Sequence, residues 1–395
     1  MSKAKNNSNW LESRVGEVAE LKNGYAFKSE QYDTSGPYRV ITISNVQDGR
    51  LDTAGCKYIK KIPDDFKQYQ LLDVGDILIS MTGNVGRICK VSETGLLLNQ
   101  RVGRIIPKNI YDQFFYYVLA SESFRDRMVE LAQGGAQPNL SVGDIQDYIF
   151  AYPASLETQR KIAEILRTWD EAIETAEAEL KAKHERKRWL MTMVMQKSYE
   201  TKSVSQFGTL KKGGAILREK LRSEGVPVVL YGDIYTKYSE IVTRLISRVD
   251  ASAVVDGVKL NSGDIVFAGS GETAEEIGKC IAYVGEEAAY AGGDVVILCN
   301  HGQDPRYLGY ALNSEEAIRQ KMRLGQGSSV MHLYKDDVAS IKIPLPPISD
   351  QRKVGEILSA ADADIELINQ RINVLRDQKR GLMQKLLTGE VRVAA

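Results

Sequence analysis

Thiol and imidazole groups are scarce in this sequence, and the few present stand apart. The four cysteines, Cys56, Cys89, Cys280 and Cys299, show no Cys-x-x-Cys spacing, and His184, His301 and His332 are the only histidines to join them. A structural zinc site draws its ligands from close sequence pairs, so none is expected. Buried, reduced thiols of a cytosolic protein are the expected state of the cysteines. Net charge of one sign is missing as well, since 52 basic residues balance 52 acidic ones. That removes the simplest argument for a nucleic-acid binder, a strongly basic domain, and leaves local patches or positively charged partners to supply any such role. No run of about 18 apolar residues occurs, and the opening "MSKAKNNSNW" has no apolar core, so neither a membrane span nor secretion is expected.

Catalytic signatures are thin too. No Gly-x-x-x-x-Gly-Lys-Ser/Thr phosphate loop is present, and no nucleophile stands beside an evident base. "FAGSG" (Phe267 to Gly271) has the Phe-x-Gly-x-Gly form found near S-adenosylmethionine in methyltransferases, where glycines let the backbone approach the ligand. The Asn/Asp-Pro-Pro-aromatic loop that such enzymes also need is absent; "LPPI" at Leu345 has neither the polar first residue nor the aromatic last. A turn after a strand is the plainer reading of "FAGSG".

What the chain does contain is a duplication. "TQRKIAEILRTWDEAI", from Thr158, returns as "DQRKVGEILSAADADI", from Asp350. Gln159 meets Gln351 at an offset of 192, which holds without a gap from about Ala136 to Met195. Upstream the match is looser: "VAELKNG" resembles "FGTLKKG", and "GDILIS" resembles "GDIVFA". At 395 residues the chain exceeds the roughly 100–200 of one domain, so a tandem of two units is expected. Runs such as "YRVITISNV", "RVGRIIP", "VPVVLYGDI" and "GDVVILC" read as strands between Gly, Asp and Asn turns. "YDQFFYYVLASESFRDRMVELA" and "RYLGYALNSEEAIRQKMRLG" read as helices late in each unit.

The repeated segment carries heptad spacing. Its apolar positions are Ile162, Leu166, Trp169, Ile173, Ala176 and Leu180 in the first copy, and Val354, Leu358, Ala361, Ile365, Ile368, Ile372 and Leu375 in the second. Steps of four and three give the 3.5-residue repeat of a supercoiled pair. Lys183 breaks the first copy where the second has Leu375, and Trp169 corresponds to Ala361. Two helices of about 40 residues, roughly 60 Å each, are expected to pack antiparallel, with the globular units at opposite ends about an approximate twofold axis. The fold class expected is therefore α+β: two pseudo-twofold-related α/β domains joined by a long antiparallel two-helix coiled coil. Expected boundaries are 1–153 and 201–346 for the domains, 154–200 for the central helix and 347–395 for the C-terminal helix.

This order resembles the specificity (S) subunits of type I restriction-modification enzymes over essentially the full length. The resemblance rests on "QPNLSVGDIQDYIFAYP" from Gln137, on Gln159-Arg160-Lys161-Ile162, and on the mirrored "IPLPPISDQRKVGEIL" with Leu386-Leu387-Thr388-Gly389. It implies a cytoplasmic DNA-recognition subunit without catalysis or metal of its own, each domain reading half of a split site. It also implies double-stranded DNA, two methylation (M) subunits that bind S-adenosylmethionine, and motor-nuclease (R) subunits using ATP and Mg as partners. A self-sufficient methyltransferase and a coiled-coil scaffold with two protein-binding heads remain the rivals.

Base reading calls for polar loop side chains. Unit-one candidates are Lys22, Asn23, Tyr25, Ser44, Asn45, Asn84, Arg87, Gln100, Arg101, Gln137 and Asn139. Unit two offers Lys211, Lys212, Arg218, Tyr231, Asp233, Ser270, Glu272, Gln326, Ser328 and Ser329. Turn-capping or solvated roles compete at every one of these positions. Lys181, Lys183, Arg186, Lys187 and Arg188 are candidates for phosphate contact or for a solvated helix face.

Overall fold

The computed structural model describes residues 9–133, 138–195, 199–273, 276–327 and 330–393. The chain divides into two units, Met1–Thr175 with Ile372–Ala395, and Ala176–Arg371. Each is built the same way from its own segments.

In unit 1, the apolar run Val102–Pro107 lies between Ala19–Asn23 and Ile77–Ser80, antiparallel to both, and Ile88–Lys90 extends that sheet. A second sheet pairs Tyr38–Ile41 in parallel with Leu96–Leu98. Unit 2 repeats both motifs. Val295–Cys299 lies between Thr209–Lys212 and Ile265–Ala268, and Val226–Val229 pairs in parallel with Ala289–Ala291. The glycines ending "VAELKNG" and "FGTLKKG" are forced by crowding. A Cβ on Gly24 would stand 2.3 Å from the Asn99 carbonyl, and one on Gly213 would stand 2.1 Å from the Gly292 oxygen.

Each long helical stretch expected late in a unit is broken in two. Ser121 caps Glu122–Leu131 by accepting from the Phe124 amide, and Ser314 caps Glu315–Leu324 by accepting from the Ala317 amide. The hydroxyl offers a helix start that competes with continuation of the preceding turn. "VPVVLYGDI" is likewise split, a strand to Val229 and then a helix from Tyr231 to Thr236. Phe114, Phe115, Tyr117 and Phe124 fill the unit 1 core, and Tyr307, Leu308 and Leu312 hold the same place in unit 2. All four cysteines are buried free thiols. Burial pushes Cys89 up to about 12 and Cys280 up to about 11. No helix among the described residues is long and apolar enough to cross a membrane.

Leu156–Met195 and Ile348–Leu387 are unbroken helices of 40 residues. Their opening glutamines explain the repeated Gln-Arg-Lys. Gln159 accepts from the Tyr111 amide (2.8 Å) and donates to the Pro153 carbonyl (2.8 Å). Gln351 accepts from the Asp304 amide (3.0 Å) and donates to the Pro346 carbonyl (2.8 Å). Both side chains are buried, so each one ties the start of its helix to the adjoining domain. Ile162, Ala163 and Leu166 join the unit 1 core, so the first turns of this seam pack on the domain.

Further along, the two helices meet within each unit and run antiparallel. In unit 2 Glu179 reaches Arg371 (3.7 Å), Lys183 reaches Asp364 (2.6 Å) and Lys187 reaches Asp362 (2.6 Å), one number rising as the other falls. In unit 1 Asp170 contacts Lys379, and Leu386 is buried in the cluster that holds Ile162 and Leu166. Lys183, out of place in an apolar seam, is thus an ion-pair partner. Ile365, Ile368 and Ile372 are buried, as is Leu358, whereas Trp169, Ile173, Leu180, Val354 and Leu375 are half-buried.

A three-residue lock recurs. The Tyr117 hydroxyl donates to Asp170 (2.6 Å), which also binds the Lys379 ammonium, and that ammonium sits 5.3 Å from the centre of the Tyr117 ring. The Tyr310 hydroxyl donates to Asp362 (2.7 Å), which binds Lys187, itself 5.1 Å from the Tyr310 ring centre. Burial, with the carboxylate beside it, pushes the Tyr117 hydroxyl far above its ordinary pKa. Burial does the same for Tyr310, with Asp362 adding to the shift.

At one matching core position unit 2 carries a charge where unit 1 has an apolar side chain. Lys321 is 1% exposed and gives its ammonium to the carbonyls of Gly278 (2.7 Å) and Leu312 (2.9 Å). Unit 1 has Met128 there, packed against Gly86, the counterpart of Gly278. Burial lowers the Lys321 pKa from 10.5. Between the folded and unfolded values unfolding takes up a proton, so this lysine makes stability rise with pH toward 10.5. Lys321→Met is expected to add about 1 kcal/mol at neutral pH and to flatten that rise, read from thermal melts at pH 7 and pH 10. A variant melting below the parent at pH 7 would mean that the two carbonyl bonds outweigh the cost of burying the charge.

Candidate nucleic-acid interface

In unit 1 the strand ends bring four loops together. The Gln100 amide donates to the Tyr25 carbonyl (2.9 Å) and the Met81 amide to the Arg101 carbonyl (3.1 Å). The Leu140 amide closes the set by donating to the Met81 carbonyl (2.8 Å). This frame gathers Tyr25, Asn84, Arg87, Gln100, Arg101 and Asn139, of which Asn84, Gln100, Arg101 and Asn139 are exposed. Tyr25 donates to the Asp65 carboxylate (2.7 Å), which raises its pKa. Arg87 donates to Gln47 (2.7 Å), and Gln47 in turn donates to the carbonyl of exposed Ser44. Lys22 pairs with Glu20 and lies 5.6 Å from the Tyr69 ring centre, and Asn23 is exposed at its strand's end.

Unit 2 uses the same main-chain frame. The Gly293 amide donates to Ile216 (3.3 Å), Gly269 to Asp294 (2.7 Å) and Leu333 to Gly269 (2.8 Å). "FAGSG" thus ends a strand and enters this frame through the Gly269 amide, the place that Met81 holds in unit 1. Ser270 is buried here, Glu272 is exposed two residues on, and exposed Gln326 bridges His332, the strand partner of Ser270. Lys211 and Lys212 are exposed on an edge strand, and Arg218 and Tyr231 are exposed.

Two candidates do local work instead. Asn45 is 4% exposed and holds a turn, accepting from Thr42 (2.9 Å) and donating to the Asp52 carbonyl (2.8 Å). Asp233 is buried at a helix start, accepting from the Leu230 amide (3.3 Å) and pairing with Lys237 (2.8 Å). Neither keeps a free group for a base edge. Among the helix cations, Lys183 and Lys187 are held by acidic partners, Lys187 also by Glu240 (3.1 Å). Gln137, Ser328 and Ser329 lie outside the described residues.

Thr82, Asp294 and His332 were not singled out by sequence, although they belong to the frame. No sequence signal finds them, because the offset drifts from 188 between Met81 and Gly269 to 193 between Arg101 and Asp294, and Leu140 meets Leu333 at 193 where an unbroken 192 was expected.

Residues 7–184 and 196–377 each match the type I restriction modification DNA specificity domain. The chain belongs to this family. It is 24% identical over 433 residues to the MjaX protein of Methanocaldococcus jannaschii, whose name describes a type I restriction enzyme specificity subunit; the match covers 98% of this chain and 97% of that one. The EcoKI specificity subunit of Escherichia coli K12 is 21% identical over 426 residues, covering 99% and 91%. The type I restriction-modification S subunit from M. genitalium shares the fold, with a TM-score of 0.58 at 16% identity and 98% of each chain covered. Membership gives this chain a DNA-specificity role within a restriction-modification system. The two α+β domains and two long helices are the fold of the family.

Proposed function

We propose that residues 1–153 and 201–346 are two target-recognition domains, each reading one half of a split, asymmetric DNA site, and that the helices within 154–200 and 347–395 set the gap between the halves. The observation that carries this reading is the duplicated loop frame, alike in its main-chain hydrogen bonds and unlike in its side chains. Like frames place like surfaces on duplex DNA, whereas unlike side chains read unlike bases. Recognition is this chain's whole contribution. Two M subunits bring S-adenosylmethionine and modify the DNA, R subunits bring ATP and Mg, and the assembly works in the cytoplasm. Zero net charge suits a subunit whose partners share the phosphate grip.

The test is co-expression with candidate M subunits, followed by genome-wide reading of methylated sites. A split motif is expected, and replacing residues 201–346 by the equivalent part of another family member should change one half of it only. Methylation at an undivided motif, or at none, overturns the reading.

A further inference from the structure

Three side chains occupy matching places in each loop frame. Thr82 follows Met81 and Ser270 follows Gly269, the residues whose amides bind the carbonyls of Arg101 and Asp294. Asn139 bridges Thr82 as His332 pairs with Ser270. In each unit a hydroxyl therefore stands between a charged side chain and a third polar group.

The charges are opposite, and the hydrogen bonds turn round with them. In unit 1 Arg101 Nη1 donates to Thr82 Oγ1 (3.4 Å), and that hydroxyl donates to Asn139 Oδ1 (2.9 Å). In unit 2 Ser270 Oγ donates to Asp294 Oδ2 (3.1 Å) and lies 3.0 Å from His332 Nδ1, from which, its one proton being spent on the carboxylate, it can only accept. A guanidinium has donors alone and an ionised carboxylate acceptors alone, so the sign of the charge fixes which way each hydroxyl points.

Other arginines of the fold meet carboxylates, such as Arg39 with Glu93 (2.7 Å) and Arg104 with Asp76 (2.7 Å). Among the described residues no ion-pair partner stands beside Arg101 or Asp294, and both are exposed. Asp294 also holds a left-handed backbone, φ 56°, which fixes its direction. A carboxylate on a loop that meets DNA is repelled by phosphate, so its available partner there is a donor on a base edge. Cytosine N4 is such a donor in the major groove, and guanine N7 and O6 form the acceptor pair that suits arginine.

Resting on the recognition function proposed above, we infer that Arg101 and Asp294 are matched base-reading positions of opposite polarity. Arg101 takes the acceptor edge of a guanine in one half-site, Asp294 takes the amino group of a cytosine in the other, and Thr82 with Asn139 and Ser270 with His332 are the braces that aim them.

The full chain, assembled with its M subunits, is the material for the test, and the methylated motif is the readout. Asp294→Asn keeps the size and tolerates positive φ but adds a donor, which favours adenine. It is expected to shift preference about 10-fold from cytosine to adenine at one position of one half-site, leaving the other half unchanged. Arg101→Gln is expected to shift guanine toward adenine at one position of the other half. Ser270→Ala, which removes a brace only, should relax the position that Asp294→Asn changes and no other. A variant complex that keeps every wild-type preference overturns the assignment of that residue. If one variant fails to assemble, the other carries the test. A wild-type complex with no split motif defeats the recognition function itself, whereas a split motif that ignores both substitutions defeats this inference alone.

Discussion

Asp170→Ala is expected to destabilise the protein by about 2–3 kcal/mol, and Asp362→Ala by about 1 kcal/mol less. Removing Asp170 strips the Tyr117 hydroxyl and the Lys379 ammonium of their shared acceptor. A fully buried pair broken on one side costs ~3–5 kcal/mol, because an uncompensated charge is left behind. The Lys379 and Asp170 side chains keep 22% and 32% exposure, so water recovers part of that loss. In unit 2, Lys187 retains Glu240 at 3.1 Å after Asp362 is removed, so its charge is not orphaned. Urea denaturation of the two variants decides the matter. Equal losses would contradict the ranking. Coupling Asp170→Leu with Lys379→Met should recover most of the single-variant loss, since no charge then remains to be desolvated.

Loss of either helix-opening glutamine should be at least as costly. Gln159→Leu matches the side chain in size but leaves the Tyr111 amide and the Pro153 carbonyl without partners in a site that is 1% exposed. Each buried unmade bond costs about 1–3 kcal/mol, so a loss of roughly 2–5 kcal/mol is expected, with Gln351→Leu similar. Gln159→Glu should fail to rescue. It keeps the acceptor for Tyr111 but sets a second oxygen against the Pro153 carbonyl, and burial of its charge adds to the cost. Thermal melts that place Gln159→Glu level with the parent would show that a donor to Pro153 is not needed.

The long helices were legible because heptad spacing is a periodic signal that survives divergence, and Gln159 and Gln351 announced themselves by recurring. Their task was not legible, since a buried glutamine and an exposed one look alike in a string. The local work of Asn45 and Asp233 was hidden for a related reason: turn caps and base readers draw on the same short polar side chains. Ser121 and Ser314 split helices whose apolar spacing reads straight through them. In unit 1 the polar loop residues Gln100 and Arg101 stood out. Their counterparts Gly293 and Asp294 were hidden, because glycine suggests a turn and the offset drifts by five residues between the two loops. Only the hydrogen bonds of the frame set those positions in register.

Lys187 follows Asp170 by 17 residues, the same interval that separates Lys379 from Asp362. One rod therefore supplies the acid for a lock near its beginning and the base for another near its end. A half-length ancestor with one domain and one rod would already have carried the tyrosine, the acid and the base. Two copies of such a unit hold every group that both locks need, so joining them end to end calls for no new chemistry.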